Sequence, residues 1–148
     1  MAFAITCLER VCKKWGLSNA NSKNLISKLW EYTSSDRLDN WENEIAWYCP
    51  DYENPSEEEF IQYLGLEDLS DTEHQTLGQL IKLIIEIGTS NLYGGFQSHV
   101  TLKPTLKVAE LLLNNNISLP DIDPFKKSKV TDFHGWGNRV DRSFFKKN

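Results

Sequence analysis

The sequence has little of what builds disulfide scaffolds, metal cages or membrane spans. Its three cysteines, Cys7, Cys12 and Cys49, are an odd number with no paired spacing, which excludes a disulfide framework and predicts a reducing compartment. The only histidines are His74, His99 and His134, and no Cys-x-x-Cys or His-x-x-x-His ligand spacing occurs. Cys7 and Cys12 lie about 140° apart around a helix, so they read as structural thiols rather than a metal or nucleophilic site. Long apolar runs are missing too. The longest, residues 80–87, is broken by Lys82 and Glu86 and is too short to cross a bilayer. The first residues reach Glu9 and Arg10 at once, without the basic and apolar regions of a secretory leader. The expected location is therefore cytoplasmic, with no membrane partner. Strand-like alternation, internal repeats and low-complexity tracts are absent. Gly94-Gly95 follows a helical run and lacks a phosphate-loop pattern. No motif is strong enough to name a reaction.

What remains is ample for one core. A chain of 148 residues, 40% hydrophobic with five Trp, five Tyr and seven Phe, is long enough to fold as a single domain. Its mean hydropathy of -0.47 fits a soluble protein. The charge is unevenly placed. Residues 36–73 hold thirteen of the 21 acidic residues and one basic residue, Arg37, for a formal charge of -12 in a chain whose total is -5. A sequence pI near 5.2 argues against nucleic-acid binding, because phosphate repels such a surface, and fits a basic partner better.

Helical periodicity organises the chain. Ile5, Leu8, Val11, Cys12 and Trp15 define a first amphipathic helix over residues 2–15, with Gly16 as its C-cap. A polar turn at 18–24 precedes a second helix, marked by Leu25, Ile26, Leu29 and Trp30 and ending near Thr33. Ser34-Ser35-Asp36 offers N-cap chemistry for a third. Leu38, Trp41, Ile45 and Tyr48 share one face of it, while Asp36, Asp39, Asn43, Glu44 and Trp47 fall on the other. Cys49-Pro50 ends this helix, and 51–54 reads as loop. Ser56 with Glu59 forms a capping box for a short helix that buries Phe60, Ile61 and Leu64 and stops at Gly65. Ser70 with Glu73 repeats the device and opens the longest helix, which runs to about Tyr93. Its apolar residues Leu77, Leu80, Ile81, Leu83, Ile84, Ile85 and Ile87 cover so much of the circumference that it belongs in the centre of the domain. Gly78 and Gly88 within it read as close-packing positions. Lys103-Pro104 predicts a further helix with Pro104 at its first position, carried to Asn114 by Leu106, Val108, Ala109 and Leu111–Leu113. Residues 97–102 match no element clearly. Residues 117–125, with Pro120 and Pro124, read as an extended segment on the surface, and 126–148 as a basic aromatic tail. The expected architecture is all-α: a single-domain antiparallel multi-helix bundle over residues 1–125, with an irregular C-terminal tail at 126–148 packed on it or extending from it.

The run Phe3-Ala4-Ile5-Thr6-Cys7-Leu8-Glu9-Arg10, followed by Leu29-Trp30-Glu31, resembles the first helices of a widespread bacterial helical family of unknown function. Leu92-Tyr93-Gly94-Gly95, then 106–113 and Leu119-Pro120, resemble helical immunity proteins encoded beside bacterial polymorphic toxins. The likeness covers scattered positions over most of the chain and carries no binding residue across. It implies a cytoplasmic helical protein that occludes a toxin domain; acidic immunity proteins commonly do so to basic nuclease toxins by mimicking nucleic-acid charge.

The residues therefore predict a binding protein rather than an enzyme, with no cofactor and no metal. The expected partner is a cationic protein such as a cognate toxin domain, met by Asp36, Asp39, Glu44, Trp47, Asp51, Tyr52, Glu53, Glu57 and Glu58. Glu57–Glu59 and the acidic start of the longest helix have a local reason for their charge, since carboxylates favour helix N-termini. Asp39, Glu44, Asp51 and Glu53 do not. Trp47 points away from the apolar face of its own helix, so either a neighbour such as Tyr52 covers it or it anchors a partner, with Tyr48, Tyr52 and Tyr63 as rim. The acidic run itself reads as a solvated surface, as a contact face, or as a surface neutralised by the basic tail folding back. Two other functions fit the sequence: a small enzyme using His134 in a cleft, and a self-associating adaptor whose tail docks on another copy.

Overall fold

The computed structural model describes residues 1–48, 56–94, 98–129 and 138–145. Among these, most are helical and no strand occurs, so the protein is an all-α bundle. Six helices follow in order: α1 (Ala2–Lys14), α2 (Ala20–Glu31), α3 (Leu38–Ile45), α4 (Glu57–Leu64), α5 (Asp71–Gly94) and α6 (Ser98–Asn114). Short 3-10 turns occupy Ala46–Tyr48, Asp123–Lys127 and Arg142–Phe145.

The predicted termini are largely those the chain uses. Gly16 and Gly65 take left-handed conformations at φ +72° and +66°, which glycine adopts without a Cβ penalty. Leu17 N–H reaches back to the Cys12 carbonyl at 2.8 Å, closing α1 in a Schellman motif. Asn116 at φ +54° does the same for α6, with Ile117 N–H on the Leu112 carbonyl at 2.9 Å. Ser56 and Glu59 form the expected capping box, and Glu73 accepts from Ser70 N–H at 2.9 Å. Asn19 does double service. Its Oδ1 caps Ser22 N–H of α2 at 2.8 Å, while its Nδ2 donates to the Leu64 carbonyl at the end of α4. Asn21 donates to the Tyr63 carbonyl at 2.7 Å, so the start of α2 satisfies the orphan carbonyls of α4.

Three predicted starts are corrected. α2 begins at Ala20, inside the stretch 18–24 read as a turn, because Asn19 caps it there. The α3 N-cap is Arg37, with no side-chain cap, not the Ser34-Ser35-Asp36 run. Ser35 Oγ instead accepts from Arg37 N–H at 3.0 Å, a local turn that uses the hydroxyl before the helix begins. Nor does Pro104 open its helix: α6 starts six residues earlier, at Ser98, and Pro104 lies inside it. The ring removes the donor that the Val100 carbonyl would receive. Pro104 is buried on the same side as Val108 and Leu112, and α6 packs along α5, so tertiary burial overrides the local rule.

α5 sits at the centre, against α1, α3 and α6. Its buried residues, Leu77, Leu80, Ile81, Leu83, Ile84, Ile85 and Ile87, span about 200° of circumference at 100° per residue. α1 contacts α2, α5 and α6 and contributes Ile5, Leu8 and Val11, which are fully buried. Cys7 and Cys12 are buried free thiols, and burial pushes both up to about 12. Trp41 locks α3 into place. Its Nε1 donates to the Lys28 carbonyl at 2.8 Å, its ring meets Tyr32 edge-on at 4.9 Å, and its tip lies over Gly88 of α5, where a Cβ would stand 2.5 Å from the indole.

The described part of the tail returns to the bundle. Val140 and Thr33 exchange two hydrogen bonds, Val140 N–H to the Thr33 carbonyl at 2.9 Å and Thr33 Oγ1 to the Val140 carbonyl at 3.0 Å. Phe145 stacks on Phe125 at 5.7 Å and lies 5.9 Å from Trp30. Arg142 pairs with Glu9, which also accepts from Trp30 Nε1 at 2.8 Å. At the far end of α1, Arg10 donates to Ser118, and Lys14 donates to the Asn115 and Asn116 carbonyls at 3.1 and 3.0 Å. These cations meet the negative end of the α6 dipole.

Candidate functional site

Trp47 is the side chain around which a surface can be built. The helix that carries it tightens at its end, with α3 passing into the 3-10 turn Ala46–Tyr48. Trp41, Ile45 and Tyr48 turn inward and are buried, while Trp47 remains 39% exposed. It does not float. Its ring meets Tyr63 of α4 edge-on at 4.7 Å and Tyr48 edge-on at 5.0 Å, geometries that favour the opposed aromatic quadrupoles. Tyr48 and Tyr63 join through their hydroxyls at 3.3 Å, and Asn24 Nδ2 donates to Tyr48 Oη at 3.3 Å. Burial, then the bond to Tyr63, raise the Tyr48 phenol above its ordinary range, so Tyr48 is neutral at physiological pH. The outcome is an aromatic patch joining the end of α3 to α4, with the Trp47 indole partly open to solvent.

Three of the predicted acidic residues, Asp36, Asp39 and Glu44, have intramolecular partners. Glu44 pairs with Lys28 of α2, which also contacts Glu31 at 3.3 Å. The hydrogen bond to Glu44 is the main cause of the raised Lys28 pKa. Asp39 takes Arg37 in a two-point contact, 3.2 Å from Nε and 3.0 Å from Nη2, which holds its carboxyl below the usual range. Asp36 lies 3.9 Å from Arg139 of the tail. Glu58 is exposed at the start of α4, and Glu59 is occupied by its capping box. Asp51, Tyr52, Glu53 and the side chain of Glu57 lie outside the described residues, as do Cys49 and His134. The predicted face is thus brought together in part: Trp47, Tyr48 and Tyr63 converge, and Glu44 lies one turn before Trp47. Asp36 and Asp39 stand at the other end of α3.

Arg37 beside Asp39 was visible as a local pair, and the basic tail that carries Arg139 was one of the readings for balancing the acidic run. Sequence reasoning missed Lys28, which comes from α2 and left no local signal. It also missed a second surface, the exposed leucines Leu102, Leu106 and Leu113 of α6; their spacing of four and seven, apart from the buried positions, was the available clue. Among the described residues no group of three or more His, Cys, Asp or Glu is placed to hold a metal, and no helix is long and apolar enough to cross a membrane. A shallow depression lined by Arg10, Lys13, Lys14, Asn116, Ile117 and Ser118 lies where α1 meets the end of α6, and Arg10 and Lys14 there are engaged in capping. Comparison of the chain with protein-family models, with curated proteins and with solved structures found no match.

Proposed function

We propose that this chain is a binding protein of the immunity or antitoxin type, which sequesters a cationic bacterial toxin domain in the cytoplasm. The observation that supports this reading best is Trp47, open to solvent by 39% yet pinned by two tyrosines on the most acidic part of the chain. A large aromatic held in one orientation loses little entropy on contact and is the side chain most enriched among binding hot spots. The contact face comprises Asp36, Asp39, Glu44, Trp47, Glu57 and Glu58, to which the sequence adds Asp51, Tyr52 and Glu53. The intramolecular ion pairs do not disqualify the carboxylates. Exposed pairs are weak because water screens them, so a partner's arginines or lysines can take over from Lys28 or Arg37. In this reading the acidic surface steers approach and the indole supplies the lasting contact. The protein itself catalyses nothing and needs no cofactor.

The test is to mix the purified protein with the toxin domain encoded next to it and to measure affinity and association rate. Trp47→Ala should weaken binding by at least roughly tenfold, mainly through faster dissociation. Glu44→Lys should slow association, and the rate should fall with added salt. Equal affinity for the wild type and the Trp47→Ala/Glu44→Lys double variant would sink the proposed face. Absence of any binding would sink the reading as a whole.

A further inference from the structure

α6 presents two apolar stripes on opposite sides, and only one of them is used by the bundle. Val108 and Leu112 are buried, with Pro104 beside them, facing α5 and α1. Leu102, Leu106 and Leu113 are 54%, 54% and 57% exposed. At 100° per residue they fall within about 40° of one another, and their centre lies about 140° from that of the buried stripe. Half-buried Ala109 completes the series Leu102, Leu106, Ala109, Leu113. Its spacing of four, three and four is the seam of a coiled coil. Isolated exposed leucines are ordinary, but a continuous stripe at seam spacing is a contact surface.

The flanking charges identify what fits it. Lys103 and Glu110 stand seven residues apart on the same shoulder of the stripe, both at the position following a seam residue. Neither has an ion-pair partner among the described residues. Consider a second copy of α6 laid antiparallel on the first. Leu102 meets Leu113 of the other copy, and Leu106 meets Ala109, large against small in the inner layers. In that register each Lys103 lies beside the other copy's Glu110, giving two opposite-charge pairs. Parallel pairing gives neither benefit: Ala109 would face Ala109, and Glu110 would face Thr105 rather than Lys103. We propose that this face of α6 is a self-complementary dimer interface whose occupant is a second copy of the chain, arranged antiparallel about a two-fold axis passing near residues 107 and 108. The interface is small, four layers over about 16 Å of helix, so the dimer is weak and concentration-dependent. It uses none of the residues of the aromatic patch, and so stands or falls separately from the proposed function.

Sedimentation equilibrium of the intact chain, up to about 1 mM, tests it. The expected result is a reversible monomer–dimer equilibrium. Leu106→Glu should abolish the dimer while leaving the helical circular dichroism and thermal midpoint unchanged, because the residue is exposed. Lys103→Glu and Glu110→Lys should each weaken dimerisation roughly tenfold, since both symmetry-related pairs change sign. The double variant Lys103→Glu/Glu110→Lys should restore it, and so should an equimolar mixture of the two single variants. A monomer at every concentration, a dimer indifferent to Leu106→Glu, or single charge reversals that the double variant fails to rescue would each overturn the proposal.

Discussion

Gly88 shows how a single missing side chain fixes the relation of two helices. The sequence marked it as a place of close approach within an otherwise apolar helix. The structure supplies the partner, the indole of Trp41, with the Met1 side chain beside it. Gly88→Ala gains about 1 kcal/mol of helix propensity but drives a methyl into a buried ring held on its other side by Tyr32 and by the bond to Lys28. The ring has no free end to move. The substitution should therefore destabilise the fold by about 1–3 kcal/mol net, read as a lowered urea midpoint; an unchanged midpoint would show that α3 can slide on α5. Trp47 is the instructive contrast. Its outward direction was legible from the spacing of Leu38, Trp41 and Ile45 alone. What the spacing could not show was Tyr63, which reaches it from a different helix.

At the scale of elements, helix ends were more legible than helix beginnings without caps. Ser56–Glu59 and Ser70–Glu73 are reciprocal hydrogen-bonding units within four residues, so sequence alone specifies them. Both carboxyls have lowered pKa values, chiefly through the backbone N–H of Ser56 and Ser70 respectively. A carboxyl depressed in the folded state contributes stability above its unfolded pKa, and that contribution is lost as pH falls through the folded value. The protein should thus lose stability as pH drops below the ordinary carboxylate range. Glu59→Gln/Glu73→Gln should flatten that loss, measured as denaturation midpoint against pH. An acid slope identical in wild type and double variant would mean that other groups govern it. Pro104 and Arg37 are the opposite case. There the local rule failed because its competitor was remote: burial against α5 for one, and a turn that consumed the Ser35 hydroxyl for the other.

For the whole molecule, the sequence disclosed an all-α bundle with a central α5, because apolar periodicity is a local property that burial then obeys. It offered the basic tail as one counterweight to the acidic run but gave no sign of Lys28. Lys28 and Arg139 reach Glu44 and Asp36 from elsewhere in the chain, and Arg142 spends its charge on Glu9, outside that run. The segment 138–145 is therefore a clasp across α1 and α2, with Phe145 as its apolar contact. Phe145→Ala should cost about 1–2 kcal/mol and quench or shift Trp30 fluorescence, whereas no change in either would show that the clasp contributes nothing. These long-range ties have a further meaning in time. The bonds from α1 to the end of α6 join residues 101, 102 and 108 apart, and Thr33 meets Val140 across 107. At about 5–20 residues per second of synthesis, α1 waits roughly 5–20 s for these partners, covered first by α2 and then by α5. During that interval the apolar side of α1 is open to chaperones and to other nascent chains, so the newborn protein is at greatest risk of aggregation before α6 exists.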